Sequence, residues 1–407
     1  MWVALFPRRT PGEVAVPIAA YHRYCQTGQE GDRWRTLRSV GPAPAGRLVL
    51  GDRTLLNFSS NNYMGLANHP ALVRRAIEWT GRWGVGATAS RLVCGNLALF
   101  EPIEERLRQG KGSEAALIFN SGFQANATVL AALLDRTVLG AEPLVFADRL
   151  NHASLHHGCQ AAGVRQIRYR HNDLNHLEAL LHRHAAWPGP RFILSETVFS
   201  MDGDCCDVAG LLALKERHDA FLYLDEAHAT GVLGRDGFGL ASVHPGQVDL
   251  VMGTFSKGLG GFGAYVACTR TVKAYLINRC AGFIYTTALP PAVLGAMEAA
   301  LELLPTLDET RVRLQRNGAR VRQVWQEAGL DTGRSTTQII PLLLKTDQEA
   351  VAMSHRLEAA GVLAVAIRPP TVPPGTSRLR FSLTALHDEA DVERLVETVL
   401  RLVRQPT

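Results

Sequence analysis

One lysine and one aspartate stand where the sequence could carry out covalent chemistry. Lys257 lies within residues 253–263, among small, hydroxylated and glycine residues. Asp225 directly follows the apolar segment 221–224, which is typical of a buried strand. A desolvated lysine loses its proton readily and can form a Schiff base with an aldehyde. Such a lysine, with a carboxylate that faces a pyridinium nitrogen, is what pyridoxal 5′-phosphate requires of a protein. The pair therefore predicts a pyridoxal-phosphate enzyme.

The elements that must position these residues form an alternating pattern of strands and helices. The predicted strands cover residues 115–119, 144–147, 192–194, 221–224 and 250–252. Short, fully apolar strands separated by helices indicate an α/β fold with a mainly parallel sheet covered on both faces. In such sheets ligands bind beyond the carboxyl ends of the strands. Polar segments follow all five strands, at 120–126, 148–152, 195–204, 225–228 and 254–257. We therefore expect these five segments to meet at one ligand.

The phosphate of that cofactor needs backbone N–H groups at a helix N-terminus, where the helix dipole favours an anion. Ser121 precedes a helix that opens directly after a strand, so Gly122 and Phe123 are the expected donors. Further hydrogen bonds could come from the hydroxyl groups of Thr254, Ser256, Thr286 and Thr287.

Other side chains at the strand ends are candidates for contacts with the cofactor ring. His152 could stack on the ring, although a single histidine is more often structural. Asp225 is expected to keep the ring nitrogen protonated, although capping or ion pairing is the ordinary alternative. His228 and Ser200 could hydrogen-bond the phenolic oxygen of the ring.

Three other patterns carry no chemistry of their own. Residues 258–263 match GxGxxG, but an apolar strand follows them, whereas the dinucleotide fingerprint needs a helix there. His152, His156 and His157 lack a carboxylate or cysteine at ligand spacing, so no metal site is predicted. The adjacent Cys205 and Cys206 fit neither a metal nor a redox spacing.

Composition bounds the class of protein and its partners. With 46% hydrophobic and 20% charged residues, the chain has the balance of an ordinary soluble enzyme. A net charge of +5 without basic runs predicts no nucleic-acid partner but suits an anionic substrate, such as a coenzyme A or carrier-protein thioester. Seven irregularly spaced cysteines indicate reduced thiols. No membrane-spanning run is present and residues 1–10 do not read as a signal peptide, so we expect a cytoplasmic protein that binds no membrane.

The 407 residues divide into three expected parts. Residues 1–55 form an N-terminal arm that is expected to be irregular to about residue 50, and a turn and short strand are expected at 51–58. Arg33, Arg35 and Arg38 of the arm are either solvated surface or a contact at the substrate edge. Residues 56–290 form the large cofactor-binding domain, and residues 291–407 form a smaller α+β domain. The latter is expected to contain a helical stretch 292–327 broken near Pro305, strands 339–344, 363–367 and 379–383, and helices 348–360 and 387–404.

Together these segments resemble the α-oxoamine synthase family of fold-type I pyridoxal-phosphate enzymes. The resemblance runs from about Leu56 to near the C-terminus. It is carried by residues 57–61, 90–95, 121–123, 152–154, 199–204, 225–231, 254–257, 286–290 and 378–380. Residues 367–373 most resemble the biotin-pathway branch of the family.

The resemblance implies decarboxylative condensation of an amino acid with an acyl thioester, L-alanine and a pimeloyl thioester in the biotin branch. It implies that Lys257 holds the cofactor, His152 stacks on it, Asp225 pairs with its nitrogen, and Ser200 and His228 contact its ring. Thr254 would lie beside the phosphate. It also implies a homodimer with an active site at the subunit interface, where Thr286 and Thr287 reach the partner's phosphate. Arg380 would bind the substrate carboxylate, Thr371 would contact substrate, and Arg38 or Arg35 would add an N-terminal contact.

Some residues depart from the family pattern and leave alternatives open. Asn62 stands where the family usually has Asp, and Phe100 where many members have His. The alternatives are a related synthase that uses glycine or another amino acid with a different thioester, an aminotransferase, and a cofactor-binding protein without activity.

Overall fold

The computed structural model describes residues 17–29 and 34–405, so Arg33 and residues 1–10 lie outside the described residues. The helices are α1 (Pro17–Gln29), α2 (Pro70–Trp83), α3 (Phe100–Lys111), α4 (Gly122–Leu133), α5 (Arg136–Leu139), α6 (Ala153–Ala161), α7 (Leu174–Arg183), α8 (Val208–Arg217), α9 (Arg270–Arg279), α10 (Ala281–Ile284), α11 (Pro291–Leu303), α12 (Asp308–Glu327), α13 (Asp347–Ala359) and α14 (Glu389–Arg404). The strands are β1 (Val40–Pro42), β2 (Arg47–Leu50), β3 (Arg53–Asn57), β4 (Ala115–Phe119), β5 (Leu144–Asp148), β6 (Gln166–Tyr169), β7 (Arg191–Glu196), β8 (Ala220–Asp225), β9 (Leu250–Thr254), β10 (Ala264–Cys268), β11 (Ile339–Leu343), β12 (Val362–Leu363), β13 (Val365–Ile367) and β14 (Arg378–Ser382).

A seven-stranded sheet in the order β4-β10-β9-β8-β7-β5-β6 forms the centre of the fold. β10 runs antiparallel to β4 and β9, and the pairs β9–β8, β8–β7, β7–β5 and β5–β6 are parallel. Apolar side chains of α4, α6, α9 and α10 pack on one face, and those of α7 and α8 pack on the other. The mainly parallel sheet predicted from the apolar segments is therefore confirmed.

The carboxyl ends of these strands bring polar side chains to one edge of the sheet. Asp148, Glu196, Asp225 and Thr254 are the last residues of β5, β7, β8 and β9. Glu196 and Asp225 are direct neighbours in the register of β7 and β8. All four side chains are buried, so each must find its partners within the protein.

The expectation that the N-terminal arm is irregular is wrong for the part that the structure describes. α1 is helical, and β1, β2 and β3 form an antiparallel meander that β12 extends. Gly46 and Gly51, with φ of 71° and 63°, lie between these strands. The glycines supply the left-handed turn conformations that connect the strands rather than disrupting regular structure.

The C-terminal region follows the prediction with one correction. α11 and α12 are separated by a 3-10 turn at Leu304–Thr306, as expected from Pro305. The predicted strand 363–367 is instead two strands, because the chain changes sheets at Ala364. β12 pairs with β3, whereas β13 pairs with β14 in the three-stranded sheet β11-β14-β13. The division of the chain near residue 290 stays a prediction. None of the described helices is long and apolar enough to cross a membrane.

Candidate active site

Lys257 projects into a pocket of about 350 Å³ at the carboxyl edge of the central sheet. The pocket is lined by Ser59, Asn61, His152, Ser200, Met201, His228, Lys257, Val365, Ile367 and Arg380. Lys257 lies in the turn between β9 and β10. Gly260 in this turn has a φ of 67°, and a Cβ there would lie 2.4 Å from the backbone nitrogen of Ala67. The glycines after Lys257 therefore allow close backbone packing, and the strand that follows them confirms that residues 258–263 are no dinucleotide fingerprint.

The pocket makes the neutral, nucleophilic form of the lysine more accessible than it is for a lysine in water. Burial lowers the pKa of Lys257 to about 8, although the carboxylates of Asp225 and Glu196 oppose this shift. The positive charge of Arg380 lowers the pKa further. A lysine with such a pKa is available as a nucleophile or as a base near neutral pH.

A chain of hydrogen bonds links Lys257 to Arg380. Lys257 Nζ lies 2.8 Å from His228 Nε2, and His228 Nδ1 lies 2.7 Å from the Tyr63 hydroxyl. The hydroxyl donates to Asn61 Oδ1 at 3.0 Å and accepts from Arg380 Nη2 at 3.1 Å. Burial and the charges of Lys257 and Arg380 hold the pKa of His228 well below its usual value, so the ring is neutral. When Lys257 donates to Nε2, the proton of the ring is on Nδ1 and points to Tyr63.

Asp225 is held by neutral donors rather than by a cation. Its carboxylate accepts from Asn126 Nδ2 at 2.7 Å and from the backbone N–H of Ala227 at 2.8 Å. Asn126 is in turn fixed by the Tyr223 hydroxyl and donates to Ser154 Oγ, which lies 2.7 Å from His152 Nδ1. Among the described residues no cation forms an ion pair with Asp225, so its carboxylate is available to a cationic group of a ligand, and His152 is oriented by the same group of side chains.

Glu196 is a buried acid to which the sequence reasoning assigned no role. It lies beside Asp225 and accepts a hydrogen bond from the backbone N–H of His152. Burial and the negative charge of Asp225 raise the pKa of Glu196 well above its usual value. Its position at the end of an apolar strand was the signal that could have identified it. Tyr63 and Asn61, in the polar segment 59–66, were likewise assigned no role.

The expected phosphate site lies at the N-terminus of α4. Ser121 caps this helix by accepting from the N–H of Gln124 at 3.2 Å. No described residue accepts a hydrogen bond from the N–H of Gly122 or Phe123. A Cβ on Gly122 would lie 3.9 Å from Thr254 Cβ, so the end of β9 adjoins this helix start.

The hydroxyls expected at the phosphate lie on two segments. Thr254 Oγ1 donates to the Gly263 carbonyl at 2.8 Å and lies 2.7 Å from Ser256 Oγ. Asn120 donates to Thr286 Oγ1 at 3.3 Å and to the Thr287 carbonyl at 2.8 Å, which ties this pair to the strand that precedes the helix of Gly122.

The three residues that were expected to contact substrate do not all lie in the lysine pocket. Arg380 lies in the lysine pocket, where its guanidinium donates to the Ser200 carbonyl, Ser382 Oγ, Asn61 and Tyr63. Thr371 lies outside that pocket and accepts from Arg35 Nη2 at 3.2 Å. Arg38 lines the same cavity as Arg35 and Thr371, but its guanidinium forms a two-pronged ion pair with Glu358, at 2.7 and 2.8 Å.

The residues that depart from the family pattern have structural partners other than Lys257. The Asn62 side chain accepts from the N–H of Ala67 at 3.2 Å within its own turn. Phe100 is buried, and the guanidinium carbon of Arg91 lies 4.0 Å from its ring centroid. Cys206 is buried and burial raises its pKa, so this thiol is unreactive.

This donor set fits pyridoxal phosphate. The amine of Lys257, with its lowered pKa, matches the aldehyde of the cofactor, and the carboxylate of Asp225, which can accept one more hydrogen bond, matches the ring nitrogen. The free N–H groups at the start of α4 and the nearby hydroxyls match the phosphate.

A family comparison agrees. Residues 53–399 match the model of the class I and II aminotransferases, and the chain belongs to that family. Its fold is that of the fold-type I transferases, and its cofactor is pyridoxal 5′-phosphate.

Individual relatives show which kind of enzyme within this family the chain resembles. The 8-amino-7-oxononanoate synthase of Gluconacetobacter diazotrophicus is 57% identical over 354 residues, which are 86% of this chain and 89% of the relative. Serine palmitoyltransferase from S. paucimobilis, with bound PLP–myriocin aldimine, has a TM-score of 0.88 at 26% identity and covers 96% of this chain and 99% of its own. The 8-amino-7-oxononanoate synthase of Francisella tularensis has a TM-score of 0.74 at 25% identity, covering 86% of this chain and 98% of its own. The chain is an α-oxoamine synthase, a pyridoxal-phosphate-dependent acyltransferase.

Proposed function

We propose that the chain condenses L-alanine with a pimeloyl thioester in biotin biosynthesis. The products are 8-amino-7-oxononanoate, carbon dioxide and the free thiol. The carbon–carbon bond that forms at the acyl carbon replaces the carbon–sulfur bond to the thiol. The α-proton of alanine balances the proton on the released thiol, and one proton from solvent takes the place of the carboxylate that leaves as carbon dioxide.

One observation carries this proposal: Arg380 and Lys257 line the same pocket, joined through His228 and Tyr63. A guanidinium and a reactive amine at the two ends of one pocket match the carboxylate and the reacting end of an α-amino acid. The names of the relatives support the acyl acceptor and donor chosen here.

We assign roles to six residues in and beside the pocket. Bound pyridoxal phosphate supplies an electron sink that stabilises negative charge at the α-carbon of the amino acid. Lys257 removes the α-proton and later returns a proton, because its lowered pKa makes both forms accessible. Asp225 keeps the ring nitrogen protonated, and His152 covers one face of the ring. Arg380 binds the carboxylate, and His228 and Ser200 orient the reacting groups.

The N-terminal contact with substrate is better assigned to Arg35 than to Arg38. Arg35 hydrogen-bonds Thr371, the other residue expected at the substrate. Arg38 already has both prongs of its guanidinium on Glu358, so it would have to break that pair to reach a ligand.

The active unit is proposed to be a homodimer in the cytoplasm. Exposed apolar side chains surround the phosphate site, among them Tyr285, which is 84% exposed next to Thr286, and Phe123 and Phe262. A second copy could cover them and bring Thr286 and Thr287 to the partner's phosphate. All seven cysteines are free thiols, which suits a reducing compartment.

Two assays test the reaction in sequence. In deuterated water, L-alanine should exchange its α-hydrogen on the enzyme, and pimeloyl thioester should then give thiol release and 8-amino-7-oxononanoate. Exchange with glycine or L-serine in place of alanine would favour a related synthase. Pyruvate formation from alanine without thiol release would favour an aminotransferase.

A further inference from the structure

Two histidines and a glutamate meet where the helices α7 and α8 end. Glu178 and His182 are four residues apart on α7, so they lie on the same face of that helix. His218 is the residue that caps the C-terminus of α8. One ring nitrogen of each histidine and one carboxylate oxygen of Glu178 lie within 4.8 Å of one another. Residues from two helices thus present three metal-ligating atoms to one point.

The spacing of two of these groups suits a bridging metal ion. His182 Nε2 lies 3.8 Å from Glu178 Oε1, which is too far for a hydrogen bond. A zinc ion that binds nitrogen and oxygen at about 2.0–2.2 Å holds tetrahedral ligand atoms about 3.3–3.6 Å apart. The side chain of His182 is 63% exposed, so it has room for the small rotation that closes this difference.

His218 has an unused polar atom at the same place. Its Nε2 is buried and forms no hydrogen bond with any residue that the structure describes. Its ring lies against that of His182, with centroids 4.8 Å apart and planes at 81°. Buried polar atoms nearly always have a partner, so the ring of His218 has capacity for a further ligand.

The helix ends favour a cation at this point. His182 lies in the last turn of α7, and His218 directly follows the last residue of α8. The C-terminal end of a helix carries a partial negative charge, and two such ends meet here. Glu178 adds the full negative charge of its carboxylate.

Two arginines near the cluster oppose a metal ion only weakly. Arg217 Nη1 forms an ion pair with Glu178 Oε1, but the arginine side chain is 56% exposed, and exposed pairs contribute little. Among the described residues, none donates a hydrogen bond to Oε2 of Glu178, which leaves this oxygen for a metal. Arg191 donates to three backbone carbonyls of the segment after α7, so its guanidinium is turned towards the backbone.

The cluster is remote from the reactive lysine. α7 ends before β7 begins at Arg191, and α8 ends before β8 begins at Ala220. The helix ends therefore lie at the amino edge of these parallel strands, whereas Lys257 lies at the carboxyl edge. Because α7 and α8 pack on the same face of the sheet, a metal ion held here would connect two helices of the large domain.

We propose that Glu178, His182 and His218 form a zinc site that crosslinks α7 and α8. Two imidazoles and one carboxylate are ligands that zinc accepts, and water completes the fourth position. Magnesium and calcium ions prefer sets of oxygen ligands and are not expected to bind. The site stabilises the fold and takes no part in the reaction, so it is independent of the proposed substrates.

The test is a calorimetric titration of zinc chloride into the holoenzyme, which carries no affinity tag and has been treated with a chelator. The wild type should bind one zinc ion per chain at this site, and zinc should raise its unfolding temperature, because the ion binds the folded state. His182→Gln and His218→Gln should each raise the Kd by at least about tenfold, because one of three protein ligands is lost. Zinc should no longer raise the unfolding temperature of either variant.

A further variant separates metal binding from packing. Arg217→Gln frees Glu178 from its ion pair and should lower the Kd for zinc by about two- to fivefold, the strength of an exposed ion pair. His22→Gln, which removes an exposed histidine of α1, is the matched control and should bind zinc as the wild type does.

Three results would overturn the zinc site. The first is a wild type that neither binds zinc nor gains stability from it. The second is zinc binding that persists unchanged in His182→Gln and is lost when the exposed thiols of Cys25 and Cys94 are alkylated, which would place the ion on the cysteines. The third is an equal loss of binding in His22→Gln. If His218→Gln does not fold, the exposed position of His182 still decides the question.

Discussion

Replacement of Tyr63 by phenylalanine tests whether the chain of contacts between Lys257 and Arg380 matters for catalysis. The variant removes one oxygen and keeps the ring in its fully buried place. Three groups then lose a partner at once: His228 Nδ1, Asn61 Oδ1 and Arg380 Nη2. Arg380 still has Asn61, Ser200 and Ser382, so the residue that binds the carboxylate stays anchored.

The expected fall in kcat follows from the position of His228. A buried polar group left without its partner costs about 1–3 kcal/mol. His228 is 5% exposed and contacts Lys257, so its reorientation acts directly on the reactive amine. Since about 1.4 kcal/mol corresponds to a tenfold change in rate, we expect kcat to fall by about 10- to 100-fold. KM for the amino acid should change by less than about threefold, because Arg380 keeps its other contacts.

Steady-state thiol release at varied amino acid concentration separates these two effects. Tyr275→Phe is the matched control, since it also removes one tyrosine hydroxyl, which donates to the Ala132 carbonyl at 2.6 Å on α4 away from the pocket. That variant should keep its kcat. A folded Tyr63→Phe enzyme with a kcat within twofold of the wild type would show that the hydrogen bonds of the Tyr63 hydroxyl do not contribute to catalysis.

Three further predictions concern charge. When pyridoxal phosphate is added to cofactor-free protein, the rate at which the absorption band of the bound cofactor appears should rise with pH, with a midpoint near pH 8, because burial lowers the pKa of Lys257. A midpoint near the pKa of a free lysine would contradict this prediction. Hydrogen bonds to two buried aspartates raise the pKa of His171 to about 9 despite burial. This folded-state pKa lies above its unfolded value, so the stabilisation that His171 provides is complete below about pH 6.5 and is lost as pH rises through 9. Chemical denaturation should show this slope in the wild type but not in His171→Gln. Arg35→Ala should raise a substrate KM, whereas Arg38→Ala should cost at most about 1 kcal/mol of stability, as an exposed ion pair does; the opposite pattern would restore Arg38 to the site.

The central sheet could be predicted from sequence because buried parallel strands are nearly continuous apolar runs. The segments 115–119, 144–147 and 221–224 stand out for this reason, and each lies within an observed strand. β3 lies within the turn and short strand expected at residues 51–58. β1 and β2 were missed because they are short and largely half-exposed, so their residues form no continuous apolar run. The meander is also extended by β12, which pairs with β3 and lies about 300 residues away in sequence. Local pattern holds no information about such a partner.

The site could be predicted in part for a related reason. Lys257, His152 and His228 follow strands and Asp225 ends one, and topology alone brings strand ends together. Tyr63 and Asn61 reach the pocket from a loop, and their roles follow from distances to His228 and Arg380 that no spacing encodes. The choice between Arg35 and Arg38 likewise depends on the partner Glu358, which is remote in sequence.

Turnover of L-alanine and pimeloyl thioester by Lys257→Ala decides whether Lys257 is the residue that holds the cofactor. The wild type, supplied with pyridoxal phosphate, should show the absorption band of the covalently held cofactor and release 8-amino-7-oxononanoate, carbon dioxide and thiol in equal amounts. The variant should lose both the band and the product while its unfolding temperature stays close to that of the wild type. Continued turnover by the folded variant would contradict the assignment of Lys257, and with it the function proposed for the pocket.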